Sequence, residues 1–305
     1  MNGGLFEDFK NAWGKPNNAV VQLILINVMV FVFIRVTEVL FVFADARGIH
    51  NYLLHKLELP ADVGLFFSQP WTIVTYFFTH YDFLHVLFNM LFLFWFGRII
   101  QEFLNSKRVI SLYVLGGLFG GLLYIFIYNF IPFYSDRVAE SLMLGASAGV
   151  FAIVVGAAVF MPNYTFFLLF LGPVKIKYIA IFYVFMSFIG STGGNAGGEI
   201  AHLGGALVGW LYITQLNKGS DLGGWVISFI SFVKSMFKPQ PKIKVTHRGG
   251  SRRPSKKAAT TTESSSSASS TPQAEIDAIL DKISQSGYES LSKDEKQKLF
   301  NASKK

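Results

Sequence analysis

The apolar residues of this 305-residue chain fall into long runs, and no other feature limits the possible folds as sharply. A hydrocarbon layer roughly 30 Å thick takes about 20 helical residues to cross. Within it, backbone N–H and C=O groups find no water, so each such run must satisfy its own hydrogen bonds as a helix. Residues 19–43, 83–103, 109–133, 142–161, 174–189 and 199–216 form six runs of this kind. They predict an all-α polytopic membrane protein with six transmembrane helices. The composition agrees: 51% of the residues are hydrophobic, 15% are charged and 32 are phenylalanine, a balance that a water-soluble domain does not tolerate. The N-terminus lacks a basic n-region with a short apolar core and a small-residue cleavage site, so no cleavable signal peptide is expected. Cysteine is absent, which excludes disulfides and thiolate metal sites.

The remaining organisation follows from polar punctuation. Residues 1–18 are a short polar lead with Lys10 and Lys15. The first span carries Arg35 and Glu38, each costing roughly 3 kcal/mol at mid-membrane, so the pair is expected at the far interface, bridged to each other. Residues 45–80 form a long mixed loop whose apolar pieces, 63–67 and 73–78, are too short to span and are expected to lie on or dip into the bilayer face. Gly116, Gly117, Gly120 and Gly121 in the third span, and Ala201, Gly205 and Gly209 in the sixth, are small-residue ladders for close helix contact. Short connections carrying Lys10, Lys15, Arg98, Lys107, Arg108, Lys175, Lys177 and Lys218 place both termini on the cytoplasmic side.

The net charge of +8 describes a tail and not this membrane body, residues 19–217. Within 218–272, residues 224–237 suit an interfacial helix. Lys234, Lys238, Lys242, Lys244, Arg248, Arg252, Arg253, Lys256 and Lys257 follow, suited either to anionic lipid head groups or to a merely solvated, topology-fixing linker. Residues 258–272 are a Ser/Thr-rich tether. From 273 to 305 a periodic stretch with Ile276, Ile279, Leu280 and Ile283, a break at Gly287 and a cap at 290–292 predicts a small helical hairpin. Too small for a large core, it reads as a docking module for an unidentified partner.

Few polar residues remain inside the spans, and each needs a reason. His85 and Asn89 are four apart and share a helix face near the outer side. His202 begins the sixth span on a face otherwise made of Gly205, Ala206 and Gly209. Ser147 lies in the stretch Gly145-Ala146-Ser147-Ala148-Gly149, equally bare of bulk. Two such faces can approach until His202 reaches Ser147, which supplies a base to an otherwise inert nucleophile. The Asn89 amide, the His85 ring and the Ser147 backbone N–H are candidate donors to an oxyanion. No carboxylate is expected deep in the bundle, since Glu199 is placed nearer the surface, so a serine–histidine dyad is the economical reading. Taken singly, a glycine-flanked serine or a membrane histidine more often serves helix packing.

With these residues in place the sequence resembles the rhomboid family of intramembrane serine proteases, over about residues 17–217. The family's His-x4-His-x3-Asn pattern is met by His80, His85 and Asn89, its Gly-x-Ser motif by Gly145 and Ser147, and its Ala-His with a small-residue ladder by Ala201, His202, Gly205 and Gly209. The resemblance implies a six-helix rhomboid bundle with a long membrane-associated first loop, in a bacterial inner membrane. It implies that Ser147 is the nucleophile, His202 the base, and His85 and Asn89 part of the oxyanion hole, with Phe151 stacked on the base and His80 supporting the loop. No cofactor, metal or nucleic acid is called for. Single-span membrane proteins are the implied substrates, entering between spans two and five past Phe92, Phe96, Phe182 and Phe185. Two positions depart from the pattern: Ala148 replaces the glycine after the serine, and Thr72 replaces the arginine of a Trp-Arg pair. A non-catalytic binder of membrane proteins and a transporter or metal site from His85, His202 and Glu199 are the competing readings.

Overall fold

Six helices occupy the six predicted apolar stretches, but only three have the length and apolar composition to cross a bilayer unaided. The computed structural model describes residues 5–168, 172–237 and 272–302. The three long helices are α2 (Ala19–Phe43), α6 (Phe83–Phe103) and α7 (Ser106–Phe130). The fourth and fifth, α8 (Ser147–Phe160) and α9 (Ile176–Gly190), have 14 and 15 residues, and α10 (Ala196–Asn217) has 22. Before α2 lies α1 (Leu5–Gly14), and the first loop holds α3 (Arg47–His55), α4 (Val63–Ser68) and α5 (Thr72–Thr75). This is a helical membrane bundle, with α8 at its centre between α6, α7 and α10.

The expected fourth span, 142–161, is corrected at its start. Leu142–Met143 is a short strand, β2, paired antiparallel with β1 (Leu59–Pro60) of the first loop, and helix begins only at Ser147. A helix of 14 residues rises about 21 Å, two-thirds of the hydrocarbon thickness. Hydropathy registered the whole run as one segment because a buried strand and a buried helix look alike by that measure. The fifth span is also preceded by an unexpected hairpin, in which β3 (Thr165–Leu168) pairs with β4 (Gly172–Lys175).

Of the two alternatives for residues 73–78, lying on the bilayer face or dipping inward, the structure takes the inward one at Tyr76 and Phe77. Tyr76 and Phe77 are fully buried, and the Tyr76 hydroxyl donates to the Gly117 carbonyl at 2.5 Å. The doubled glycines of α7 explain how. Gly116 and Gly120 let α8 and α10 approach, since a methyl on Gly120 would sit 2.7 Å from the Ala201 carbonyl oxygen. Gly117 and Gly121, on the adjoining face, receive Phe77 and Tyr76. Thr72, in the place of the family arginine, is buried and donates to the Gln69 carbonyl at 2.8 Å, while Trp71 donates to the Lys56 carbonyl at 2.8 Å. The loop is therefore tied down by its own hydrogen bonds. Arg35 and Glu38 pair at 2.5 Å as expected, and Tyr81 joins them through Glu38 at 2.9 Å.

After α10, the helix α11 (Gly224–Phe237) exposes Trp225, Phe229, Phe232 and Met236. Lys234 lies in it. The other basic residues of the tail, from Lys238 to Lys257, and the Ser/Thr-rich tether fall outside the described residues. Residues 241–305 form a separate unit in which α12 (Pro272–Ser286) and α13 (Lys293–Ala302) make the predicted hairpin. Ile279 and Leu291 are its buried apolar residues, and Lys282–Glu295 and Lys298–Glu275 ion pairs join the helices at 2.9 and 2.8 Å.

Candidate active site

Ser147 is the first residue of α8, so its position is set by the turn that precedes it. Gly145 has φ +122°, a left-handed conformation that side chains rarely adopt. A methyl there would also come within 2.6 Å of the His85 ring. The turn is held from outside the helix. The Gly145 N–H donates to the Tyr76 carbonyl at 2.9 Å, and the Ala146 N–H donates to His80 Nε2 at 3.2 Å. His80 is fully buried and its pKa is pushed down to about 3, first by desolvation and then by His85, so it stays a neutral acceptor. Regular bonding in α8 starts with Val150 N–H to the Ala146 carbonyl at 3.0 Å. The amides of Ser147, Ala148 and Gly149 thus have no partner within the helix, and the positive end of its dipole is aimed at the same place. Such an end is tolerated at membrane depth where it borders a cavity.

That cavity exists. A pocket of about 520 Å³ is lined by Ser147 and Phe151 of α8, His85 and Asn89 of α6, Tyr183 of α9 and His202 of α10, among others. The helices carrying Ser147 and His202 touch at backbone distance. A side chain at Gly205 would strike the Ala148 carbonyl, and one at Gly209 the Ala152 carbonyl. Phe151 lies flat on the His202 imidazole, with centroids 4.2 Å apart and planes 9° from parallel. His202 Nδ1 is engaged by Glu199 Oε2 and by Ser187 Oγ, each at 3.1 Å. Nε2 is the nitrogen left to the cavity. Asn89 spends one amide hydrogen on the His85 carbonyl at 2.9 Å and keeps the other. Asp82 caps α6 by accepting the His85 N–H at 3.0 Å, which fixes that ring near Gly145.

Of the residues singled out in the sequence, Ser147, His202, His85, Asn89 and Phe151 come together around one cavity. Gly145 and His80 build the turn beneath it. Glu199 is nearer the surface than His202, as expected, with side chains 24% and 15% exposed, yet its carboxylate reaches the imidazole at Nδ1, so it does not stand apart from that histidine. The three-residue spacing to His202 was the available signal, but the depth of a helix start cannot be read from hydropathy. Ser187, Tyr183 and Tyr76 were missed, each an ordinary residue whose role depends on long-range packing. Of the residues expected along the access route, Phe92 meets Tyr183 edge-on at 5.0 Å between α6 and α9, and Phe182 and Phe185 are exposed. Phe96 is buried against Phe166, inside the bundle.

Comparison with known proteins fits this geometry. Residues 68–218 match the Rhomboid domain family model, and residues 267–305 match a family of unknown function (DUF6576). The chain is 27% identical over 211 residues to RHOMBOID-like protein 12, mitochondrial, of Arabidopsis thaliana, covering 66% of this chain and 59% of that protein. It is 27% identical over 215 residues to Rhomboid protein 1, mitochondrial, of Saccharomyces cerevisiae, covering 68% and 55%. Rhomboid protease GlpG of Haemophilus influenzae is 26% identical over 185 residues, covering 60% of this chain and 89% of that protein. The chain thus spans little more than half the length of the two mitochondrial relatives.

Proposed function

This chain belongs to the rhomboid family of integral membrane proteins, and we propose that it is an intramembrane serine protease that cleaves the transmembrane segments of single-span proteins. The observation that carries the reading is the pairing of Ser147, at an uncapped helix start, with a histidine whose Nδ1 is already committed, both facing one cavity. In the proposed reaction His202 Nε2 takes the Ser147 proton as Oγ attacks the scissile carbonyl carbon. The oxyanion meets the Ser147 N–H, the free Asn89 amide hydrogen and the His85 ring. Collapse expels the amine, to which His202 returns the proton, and water then releases the acyl group by the same route. Phe151 keeps the imidazole plane fixed throughout.

Both termini are proposed to be cytoplasmic, in a bacterial inner membrane, with the basic residues after Lys234 near anionic head groups. Access for the substrate between α6 and α9, past Phe92 and Tyr183, is part of the same proposal. The test is Ser147→Ala in the full chain in liposomes. Cleavage of a single-span substrate should fall by about 10³-fold or more, and a fluorophosphonate should label the wild type only. Cleavage that persists in Ser147→Ala would overturn the reading.

A further inference from the structure

We propose that Glu199 is a positioning residue for His202, so that the site works as a carboxylate-supported histidine and not as a bare dyad. The inference rests on the protease reading and deepens it. Nδ1 carries a single hydrogen, and both Glu199 Oε2 and Ser187 Oγ lie 3.1 Å away. An ionised acceptor takes the larger share of that hydrogen, because charge-assisted hydrogen bonds are the stronger ones. The carboxylate then fixes the tautomer with the proton on Nδ1 and the lone pair on Nε2, the atom that must receive the Ser147 proton. When it does, Glu199 faces the imidazolium and stays ionised itself.

The surroundings are built for this contact. Glu199 and His202 are three apart on α10, while Ser187 and Gly190 are three apart on the facing stretch of α9. Ser187 is buried, and Gly190 leaves the space the Glu199 stem occupies, since a methyl there would lie 3.0 Å from its Cγ. The carboxylate and imidazole side chains are 24% and 15% exposed, so their attraction is only partly screened. The other titratable groups facing His202 are His85 from α6 and Tyr183 from α9. Helix α8 offers none, and α7 sets Tyr124 against Gly197, lower on α10.

A bland alternative is that Glu199 merely places a negative charge in the first turn of α10, which any helix start favours. The two differ in what they do to His202. The experiment measures kcat and KM for the full chain in liposomes, with a single-span substrate, for the wild type and Glu199→Gln. It also reads the His202 tautomer by nitrogen NMR of labelled histidine. The expected result is a fall in kcat of about ten-fold or more at unchanged KM. The resting tautomer should become mixed. If Glu199→Gln keeps wild-type kcat and tautomer, the proposal is overturned, whatever happens to the melting temperature. Should that variant not fold, Gly190→Ala presses on the same carboxylate from α9; it should mix the His202 tautomer in the same way, and an unchanged tautomer overturns the proposal. A wild type that neither cleaves nor takes up fluorophosphonate would instead sink the protease reading itself.

Discussion

Among the helices that begin at or beside a serine, α13 and α8 put the hydroxyl to opposite uses. At the start of α13, Ser292 accepts the Glu295 N–H at 3.3 Å while the Glu295 carboxylate accepts the Ser292 N–H at 2.7 Å. This reciprocal capping box consumes the hydroxyl in holding its own helix. At the start of α8 the preceding turn is held by the Tyr76 carbonyl and the His80 ring, both brought from the first loop, and no side chain caps the helix. The Ser147 hydroxyl is therefore not spent on holding its own helix. A serine at a helix start is spent locally unless distant groups take over the capping, and that is what the long first loop provides here.

The most damaging way to break the comparison is to part the helices that bring Ser147 and His202 to the cavity. A side chain at Gly205 has no space, because the Ala148 carbonyl, next to Ser147, already fills it. Gly205→Leu should cut cleavage by about 10²-fold or more, since misplacement by about 1 Å suffices for that. Cleavage within three-fold of wild type would mean that the close approach of α8 and α10 is not needed.

A smaller effect should come from removing the distant group that holds the turn before α8. His80→Phe keeps most of the volume but leaves the buried Ala146 N–H unsatisfied, at a cost of about 1–3 kcal/mol. The pH dependence has a definite sign. His80 falls from an ordinary 6.5 to about 3 in the folded protein, so between those values the unfolded chain holds the extra proton. The stability that the neutral ring contributes is complete above pH 6.5 and is lost as pH falls toward 3. Thermal unfolding in detergent at pH 7 and pH 5 should show a larger drop for the wild type than for His80→Phe. Equal drops would show that His80 is not the neutral acceptor.

The same contrast explains how much was legible beforehand. Whatever depends on local spacing could be read: six apolar stretches, the pairing of Arg35 with Glu38, the glycine ladders, the four-residue step from His85 to Asn89, and the cap near Ser292. The close approach of α8 and α10 was also readable from their two faces without side chains, and it brings Ser147 and His202 to one cavity. What could not be read depends on contacts distant in sequence. The strand pairing of Leu59 with Met143 shortens α8, yet neither partner announces it. The burial of Tyr76 and Phe77 requires the second pair of α7 glycines, and a run of six apolar residues looks the same lying on a bilayer or inserted in a bundle. Glu199 is acidic and at a helix start, which suggests the surface, and it is the more exposed of the pair; only the space at Gly190 and the hydroxyl of Ser187 mark that its carboxylate turns to His202.

The smallest effect sharpens the other side of the comparison. Ser292→Ala should destabilise α13 by about 1 kcal/mol, the usual cost of losing an N-cap hydroxyl, and leave cleavage by the membrane body unchanged. Amide exchange over residues 288–302 of the full chain measures the first effect, and the liposome assay the second. Acid provides an internal check. The Glu295 carboxyl is held at about 2, against an ordinary 4.5, first by the Ser292 backbone N–H and then by Lys282. Because the folded value is depressed, the stability it contributes is present above pH 4.5 and disappears as pH falls toward 2. Exchange protection of α13 should decline through that window in the wild type. In Ser292→Ala the backbone N–H and Lys282 remain, so the decline should persist from a lower starting level. A variant with undiminished protection at pH 7 would show that the Ser292 hydroxyl, like that of Ser147, is not committed to its helix, and the contrast between the two starts would vanish.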